Sequence, residues 1–194
     1  MEADLTWIRT VPPESAGDHL RPFYERAAAA SSRGAVSALW QSLSLDPAAL
    51  GVLHDGYRTL VLTPAPLTTA QAELIALVVS ATNGCAYCVA HHGPRLARAI
   101  GDEPLARAVA LDYREANLAA RDRVLLYHCV ALTCEPDERK QEDVERVREY
   151  AFDDQAILRA TAIAAYYNAI NRIALALGVE IEPGLQRWEF GRQK

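Results

Sequence analysis

The sequence predicts an all-α protein, a helical bundle, and three observations carry that reading. Alanine and leucine dominate, glycine and proline fall between segments, and alternating β-branched runs are nearly absent. At 194 residues with 51% hydrophobic content, the chain is long enough to bury a sizeable core. It fits a single domain over residues 1–194, or one domain built from two similar halves.

Each helix has a local reason. Residues 17–31 read as a first helix ending near Gly34, followed by a short one over 36–43. Asp46 caps a helix with Pro47 at its first position, running to Leu62, where Thr63-Pro64-Ala65-Pro66 breaks it. Thr68 and Gln71 form a capping-box pattern opening a helix over 69–82. Asn83-Gly84 signals a turn, and the next helix runs from Cys85 to Ile100, stopped by Gly101. Asp102-Glu103-Pro104 starts a short helix to Ala110, and further helices follow at 115–133, 138–150 and 154–177, the last ending at Gly178. The tail from Pro183 to Lys194 has little pattern and reads as extended or as docked on a neighbouring subunit. A faint internal echo links Cys85-Ala86-Tyr87-Cys88 with Asn168-Ala169-Ile170-Asn171, and the Ala-Ile-Gly and Ala-Leu-Gly helix ends at 101 and 178. It suggests a duplication in which the first copy alone kept its thiols.

Composition removes several function classes. Net charge is −5 with no basic stripe, so a nucleic-acid role has no electrostatic footprint. The longest apolar stretch, Leu74 to Ala81, is too short to span a bilayer, and no basic amphipathic helix suits a membrane surface. The start, Met1-Glu2-Ala3-Asp4, is acidic and does not read as a signal peptide, so the expected compartment is the cytoplasm. Four cysteines in a reducing compartment are poor structural staples and are read as redox, metal or core residues.

The informative segment runs from Glu73 to His92. In a helix beginning near Cys85, Cys85, Cys88 and His92 lie at i, i+3 and i+7, on one face. Helical residues three apart have Cα atoms roughly 5 Å apart, inside the range that a disulfide requires. Thiols in a first helical turn meet unpaired N–H groups and the positive end of the helix dipole, which favour thiolate. His92 is one turn on and is the residue type that exchanges protons near neutral pH. If the two helices form a hairpin about Asn83-Gly84, Glu73 falls nearer to His92 than to either sulfur and would orient it.

Plainer readings stand beside this one. The cysteine pair could be buried core, or Cys85, Cys88 and either His91 or His92 could ligate zinc, but no second Cys-x-x-Cys exists. Val89 after Cys88 excludes covalent haem attachment, so no cofactor and no metal are expected. His91 reads as a surface or interface residue, His54 with Asp55 as a surface pair, and Cys129 and Cys134 as core thiols. Trp40, Tyr166 and Tyr167 read as core or interface, and the Arg and Glu run at 138–149 as a solvated helix face.

The spacing resembles the AhpD-like family, which includes alkylhydroperoxidase partner proteins and carboxymuconolactone decarboxylase relatives. Its pattern is Glu, eleven residues, then Cys-x-(Tyr or His)-Cys-x-x-x-His, and Glu73, Cys85, Tyr87, Cys88 and His92 match every element. Phe23-Tyr24, Leu39-Trp40 and Asn168-x-x-Asn171-Arg172-Ile173 resemble the peroxidase-related subgroup and extend the likeness over most of the chain. Ala72 departs from it, since relatives often carry Arg before the Glu. The resemblance implies an all-helical homo-oligomer, usually a trimer or hexamer. It also implies that Cys88 reacts with peroxide, that Cys85 resolves the product, and that Glu73, Tyr87 and His92 relay protons. The expected activity is thiol-dependent hydroperoxide reduction, with a hydroperoxide as substrate and an unnamed thiol or dithiol as reductant. The alternatives are a dithiol electron carrier for a separate peroxidase and a non-enzymatic oligomeric binding protein. A lactone decarboxylase fits less well, because that chemistry does not require two adjacent thiols.

Overall fold

The computed structural model describes residues 5–31 and 33–193; residues 1–4, on which the signal-peptide expectation fell, and Lys194 at the end of the tail lie outside the described residues. Among the described residues the chain folds into nine α-helices and no strand. They are α1 (Arg21–Ala29), α2 (Ala38–Ser42), α3 (Pro47–Tyr57), α4 (Thr69–Asn83), α5 (Ala86–Ile100), α6 (Glu103–Asp112), α7 (Ala120–Cys134), α8 (Gln141–Glu149) and α9 (Asp154–Ala176).

The centre of the bundle is α4. Ile75, Ala76, Leu77, Val78, Val79 and Ala81 are all fully buried, so this helix is apolar all round. It packs against α5, α6, α7 and α9. One buried cluster runs from Ala16 to Trp188 and joins every layer. The capping box that opens α4 is formed in both directions: Gln71 N–H donates to Thr68 Oγ1 at 3.1 Å, and Thr68 N–H to Gln71 Oε1 at 3.0 Å. Gly84, at φ 74°, ends α4 in the left-handed conformation and turns the chain directly into α5.

Helix bounds depart from expectation where side chains intervene. Pro22 sets the start of α1 at Arg21 rather than at residue 17. Residues Arg58–Leu62, expected as the end of α3, widen into a π-type turn in which Thr63 N–H reaches back to Arg58 O at 3.2 Å. Residues 115–119, expected to be helical, are held open as Arg123 donates to the carbonyls of Ala116 and Leu118, each at 3.2 Å. The solvated reading of α8 holds, with only Val147 buried.

The C-terminal tail docks on its own chain. Gln193 Nε2 donates to Val109 O at 2.8 Å and Ala110 O at 3.1 Å, and Gly191 N–H adds a second bond to Ala110 O at 3.1 Å. These carbonyls lie in the last turn of α6, where a helix has no donors of its own to offer. Trp188 lies flat against α5 at Gly93, where a Cβ would strike its ring, and stacks under Arg107 at 4.3 Å. Among the described residues no helix is long and apolar enough to cross a membrane.

Candidate active site

The turn between α4 and α5 is fixed from behind by an asparagine cluster. Asn83 Nδ2 donates to Asn168 Oδ1 at 3.0 Å and to Asn171 Oδ1 at 2.9 Å, and Asn171 Nδ2 donates to Ser80 Oγ at 3.0 Å. Asn171 is wholly buried, so these bonds supply what water cannot. The sequence that follows, Gly84-Cys85, is therefore delivered to a set position against α9.

Cys85 is the N-cap of α5 and Cys88 its third residue, and the two are joined as a disulfide with Cα atoms 5.4 Å apart. Cys88 N–H, one of the orphan donors of the first turn, points at Cys85 Sγ at 3.4 Å. Both sulfur-bearing residues are nearly buried, at 1% and 3% exposure, yet Cys88 alone of the two lines an open cleft.

His92 follows one turn later, and its Nδ1 meets Glu73 Oε2 at 2.7 Å. The hairpin geometry thus brings Glu73 to the imidazole rather than to a sulfur. A carboxylate accepts the Nδ1 hydrogen, which leaves Nε2 as the atom able to take or give a proton. The other side of the ring meets Tyr167 edge-on at 4.8 Å. Burial and the Glu73 charge push the Tyr167 phenol well above its usual range, so it is a hydroxyl and not a phenolate.

A second carboxylate–histidine pair flanks the first. Glu182, from the segment after α9, takes His91 Nε2 at 3.0 Å on Oε2, while Oε1 accepts Ala38 N–H at 2.7 Å and Tyr87 O–H at 3.1 Å. Tyr87 oxygen in turn accepts Leu39 N–H at 3.1 Å. Burial acts to raise the Glu182 pKa, but the His91 and backbone hydrogen bonds outweigh it and hold the carboxyl at about 2. Burial and that charge raise the Tyr87 phenol. Of the five residues expected at the site, Cys85 and Cys88 form one bonded pair and Glu73 and His92 another, with Cys88 and His92 on the same cleft. Tyr87 lines the same cleft with its hydroxyl committed to Glu182.

Three sequence expectations are corrected. His91 is no surface residue: its side chain is 19% exposed and tied to Glu182. His54 is fully buried, because Leu50, His54 and Tyr57 share the inner face of α3; it meets Trp40 edge-on at 5.2 Å, and burial lowers its pKa. Cys134 is exposed at the end of α7, while Cys129 is buried, its thiol pushed up to about 12 by desolvation. Ala72 lies fully inside the core. Among the described residues no group of three or more His, Cys, Asp or Glu could hold a metal ion.

The cleft has a cavity volume of about 70 Å³. Cys88, His91 and His92 stand on one wall, with Trp40, Tyr57 and Tyr167 among the aromatic residues facing them. Residues 53–121, which contain α4, α5 and this whole thiol turn, match the Carboxymuconolactone decarboxylase family. An uncharacterized peroxidase-related protein with an alkylhydroperoxidase AhpD core, from Ralstonia eutropha JMP134, is similar over the whole fold. Its TM-score is 0.84 at 26% identity, covering 92% of this chain and 93% of that one. The family match over residues 53–121 and the likeness of the whole fold support an AhpD-like, carboxymuconolactone decarboxylase superfamily assignment. An uncharacterized peroxidase-related protein from Silicibacter sp. TM1040 gives a TM-score of 0.80 at 27% identity, covering 94% and 92% of the two chains. The debrominase Bmp8, solved in complex with 2,3,4-tribromopyrrole, shares the fold at a TM-score of 0.75 and 17% identity, covering 94% of each chain. No curated protein is a significant match.

Two features of the site escaped the sequence reading. Glu182 carried no local signal, being 95 residues from Tyr87 and 144 from Ala38. Arg95 was hidden among ordinary helix-surface arginines, although its spacing of seven from Cys88 puts it on the same face of α5.

Proposed function

We propose that this chain is a thiol-dependent hydroperoxide reductase of the alkylhydroperoxidase type, working through Cys88 and Cys85 as one domain over residues 1–194. The observation that carries the reading is the cleft wall, which sets Cys88 beside a histidine held by a buried carboxylate. In the reduced protein the Cys88 thiolate attacks the terminal oxygen of the hydroperoxide. The O–O bond breaks, the alkoxide leaves, and His92 Nε2–H supplies the proton that makes it an alcohol. Cys88 is then a sulfenic acid. Cys85 attacks its sulfur, water leaves, and the disulfide forms with both electrons taken from the two thiols.

Regeneration runs in the opposite sense. A reducing thiolate entering by the cleft attacks Cys88 Sγ, the sulfur that lines the cleft among the described residues, and Cys85 leaves as thiolate. A second reducing thiol then attacks the reductant's sulfur in the mixed disulfide, so that Cys88 leaves as thiolate and the reductant departs as its own disulfide. The N-cap position of Cys85 supports its role as leaving group, since Cys88 N–H is already aimed at the departing sulfur. We assign Tyr87 and the Glu182–His91 pair to the same proton network. A dithiol consumed and restored in this way belongs in a reducing compartment, and we place it in the cytoplasm. We also propose a homo-oligomer, trimer or hexamer, which is supported by large apolar side chains left open, including Trp7 at 77%, Val52 at 74% and Leu158 at 69% exposure.

Stopped-flow mixing of the reduced protein with several hydroperoxides, following thiol loss, tests the activity. Second-order oxidation that ends in the Cys85–Cys88 disulfide is expected. Slow oxidation by every hydroperoxide, with fast exchange against a lipoyl or thioredoxin-type dithiol, would replace this reading with that of an electron carrier.

A further inference from the structure

Nine residues of α5 separate the disulfide turn from the helix's basic end, where arginines beside the cleft have no ion-pair partner among the described residues. Arg95 lies on the cleft wall seven residues beyond Cys88, roughly 10 Å along the helix at 1.5 Å per residue. Its guanidinium donates to Tyr57 Oη and lies over the Tyr57 ring at 5.5 Å. Among the described residues it has no carboxylate within ion-pairing distance. Arg98 and Arg33 line an adjoining pocket that shares Arg95, His91 and Ser37 with the cleft, and among the described residues neither forms an ion pair. Glu182 is the acidic group of that pocket, and both of its oxygens are already engaged by Ala38, Tyr87 and His91. Three arginines without a carboxylate partner among the described residues thus line one pocket, in a protein whose net charge is −5.

Two further facts point to a ligand. Burial lowers the Arg95 pKa, and the nearby Arg98 charge adds to this while Tyr167 opposes it; the net shift is downward, as for a desolvated cation with no carboxylate beside it. Deeper in, the Tyr167 hydroxyl is buried on the cleft wall with no hydrogen-bond partner among the described residues. Both a cation and a polar hydroxyl are left for something else to satisfy. Between them the walls are aromatic, with Trp40, Tyr57 and Tyr166 facing the space.

We propose that the cleft selects an anionic, ring-bearing organic hydroperoxide, with its carboxylate held by Arg95 and its ring between the aromatic walls. Its reacting end then reaches Cys88 past Tyr167 and His92. This rests on the reading of the cleft as the peroxide site. Arg95 is a binding residue in this scheme, and Arg33 and Arg98 draw the anion toward the mouth.

The test separates binding from chemistry. The oxidised protein, whose sulfurs are already paired, is titrated calorimetrically with para-isopropylbenzoate and with the uncharged para-isopropylbenzamide. The acid is expected to bind roughly ten- to hundred-fold more tightly than the amide, as a charged hydrogen bond allows. Arg95→Met should erase that preference, Arg95→Lys should keep part of it, and Arg98→Met should weaken it less and more so at low salt. Equal binding of acid and amide, no binding of either, or undiminished acid binding by Arg95→Met would overturn the proposal. Should Arg95→Met fail to fold, the acid–amide comparison in the unaltered protein still decides. The reduced protein is then mixed with cumene hydroperoxide and its para-carboxylate, and the carboxylate should show the higher kcat/KM. Failure of both to oxidise the thiols, with the Arg95-dependent acid preference intact, would sink the peroxidase reading and leave the anion site standing.

Discussion

Cys88 and Cys85 differ in what each can be asked to do. Cys88 lines the cleft and Cys85, the helix cap, does not, and in the proposed function the first would be the thiol that meets the oxidant. Cys88→Ser is expected to abolish reaction with peroxide. Cys85→Ser should allow one turnover and leave Cys88 trapped as sulfenic acid. Dimedone labelling with mass spectrometry reads both, and an adduct at Cys85 in Cys88→Ser, with none at Cys88 in Cys85→Ser, would reverse the order. Cys129 takes no part in this scheme, since burial keeps its thiol protonated at neutral pH. His92→Ala should slow the attack by ~10²–10⁴-fold, the usual worth of general acid–base help. Glu73→Gln keeps an acceptor for Nδ1 at the same place and loses only the charge, so its kcat/KM should fall less than that of His92→Ala. A Glu73→Gln loss as large as that of His92→Ala would mean that Glu73 moves the proton itself.

At the scale of elements, the site depends on how firmly the α4–α5 turn is held against α9. Asn171→Leu removes an acceptor from Asn83 and a donor from Ser80 at a fully buried position. We expect it to destabilise the fold by about 1–3 kcal/mol, the cost of stranding buried polar groups. Urea unfolding measures this, and a neutral result would mean that the cluster is not what fixes the turn. What could be read in advance follows the same division between local and distant. The Thr68–Gln71 box, the Asp46 and Asp102 caps and the glycines at 84 and 101 act within a few residues, so the helices were legible. Cys85, Cys88 and His92 share one helix and could be placed by spacing, and Glu73 needed only one hairpin. His54 misled because its neighbour Asp55 is exposed while the helix phase turns the imidazole inward. Glu182 and Tyr167 reach the cleft through tertiary packing from the end of the chain, and no periodicity announces that.

Across the whole molecule, the last segment of chain is what closes the second half of the site. Glu182 leaves α9, crosses to α2 and α5, and ties Ala38, Tyr87 and His91 together, after which Trp188 and Gln193 secure the tail on α5 and α6. This makes one carboxylate a reporter of the entire closure. Its carboxyl is held at about 2 in the folded protein, against an ordinary value of 4.5. A depressed folded-state pKa contributes stability that is fully present above the unfolded value and is lost as pH falls through the folded one. The wild-type protein should therefore lose this contribution progressively from about pH 4.5 down to about pH 2. Asp112, Asp143 and Glu145 are also held low, chiefly by hydrogen bonds to Arg114, Lys140 N–H and Arg148, and they add acid sensitivity of their own on the surface. Glu182→Gln leaves those three in place, so the difference between the two proteins isolates the buried group. The variant should be less stable at neutral pH, because the amide cannot offer two charged acceptors to His91, Tyr87 and Ala38. Its stability should also fall less steeply than the wild type's across the acid window. Urea denaturation in steps from pH 7 to about pH 2 compares the slopes. Equal slopes in the two proteins would show that Glu182 is not held as an anion, and that the tail is kept in place by its packing and by the Gly191 and Gln193 hydrogen bonds.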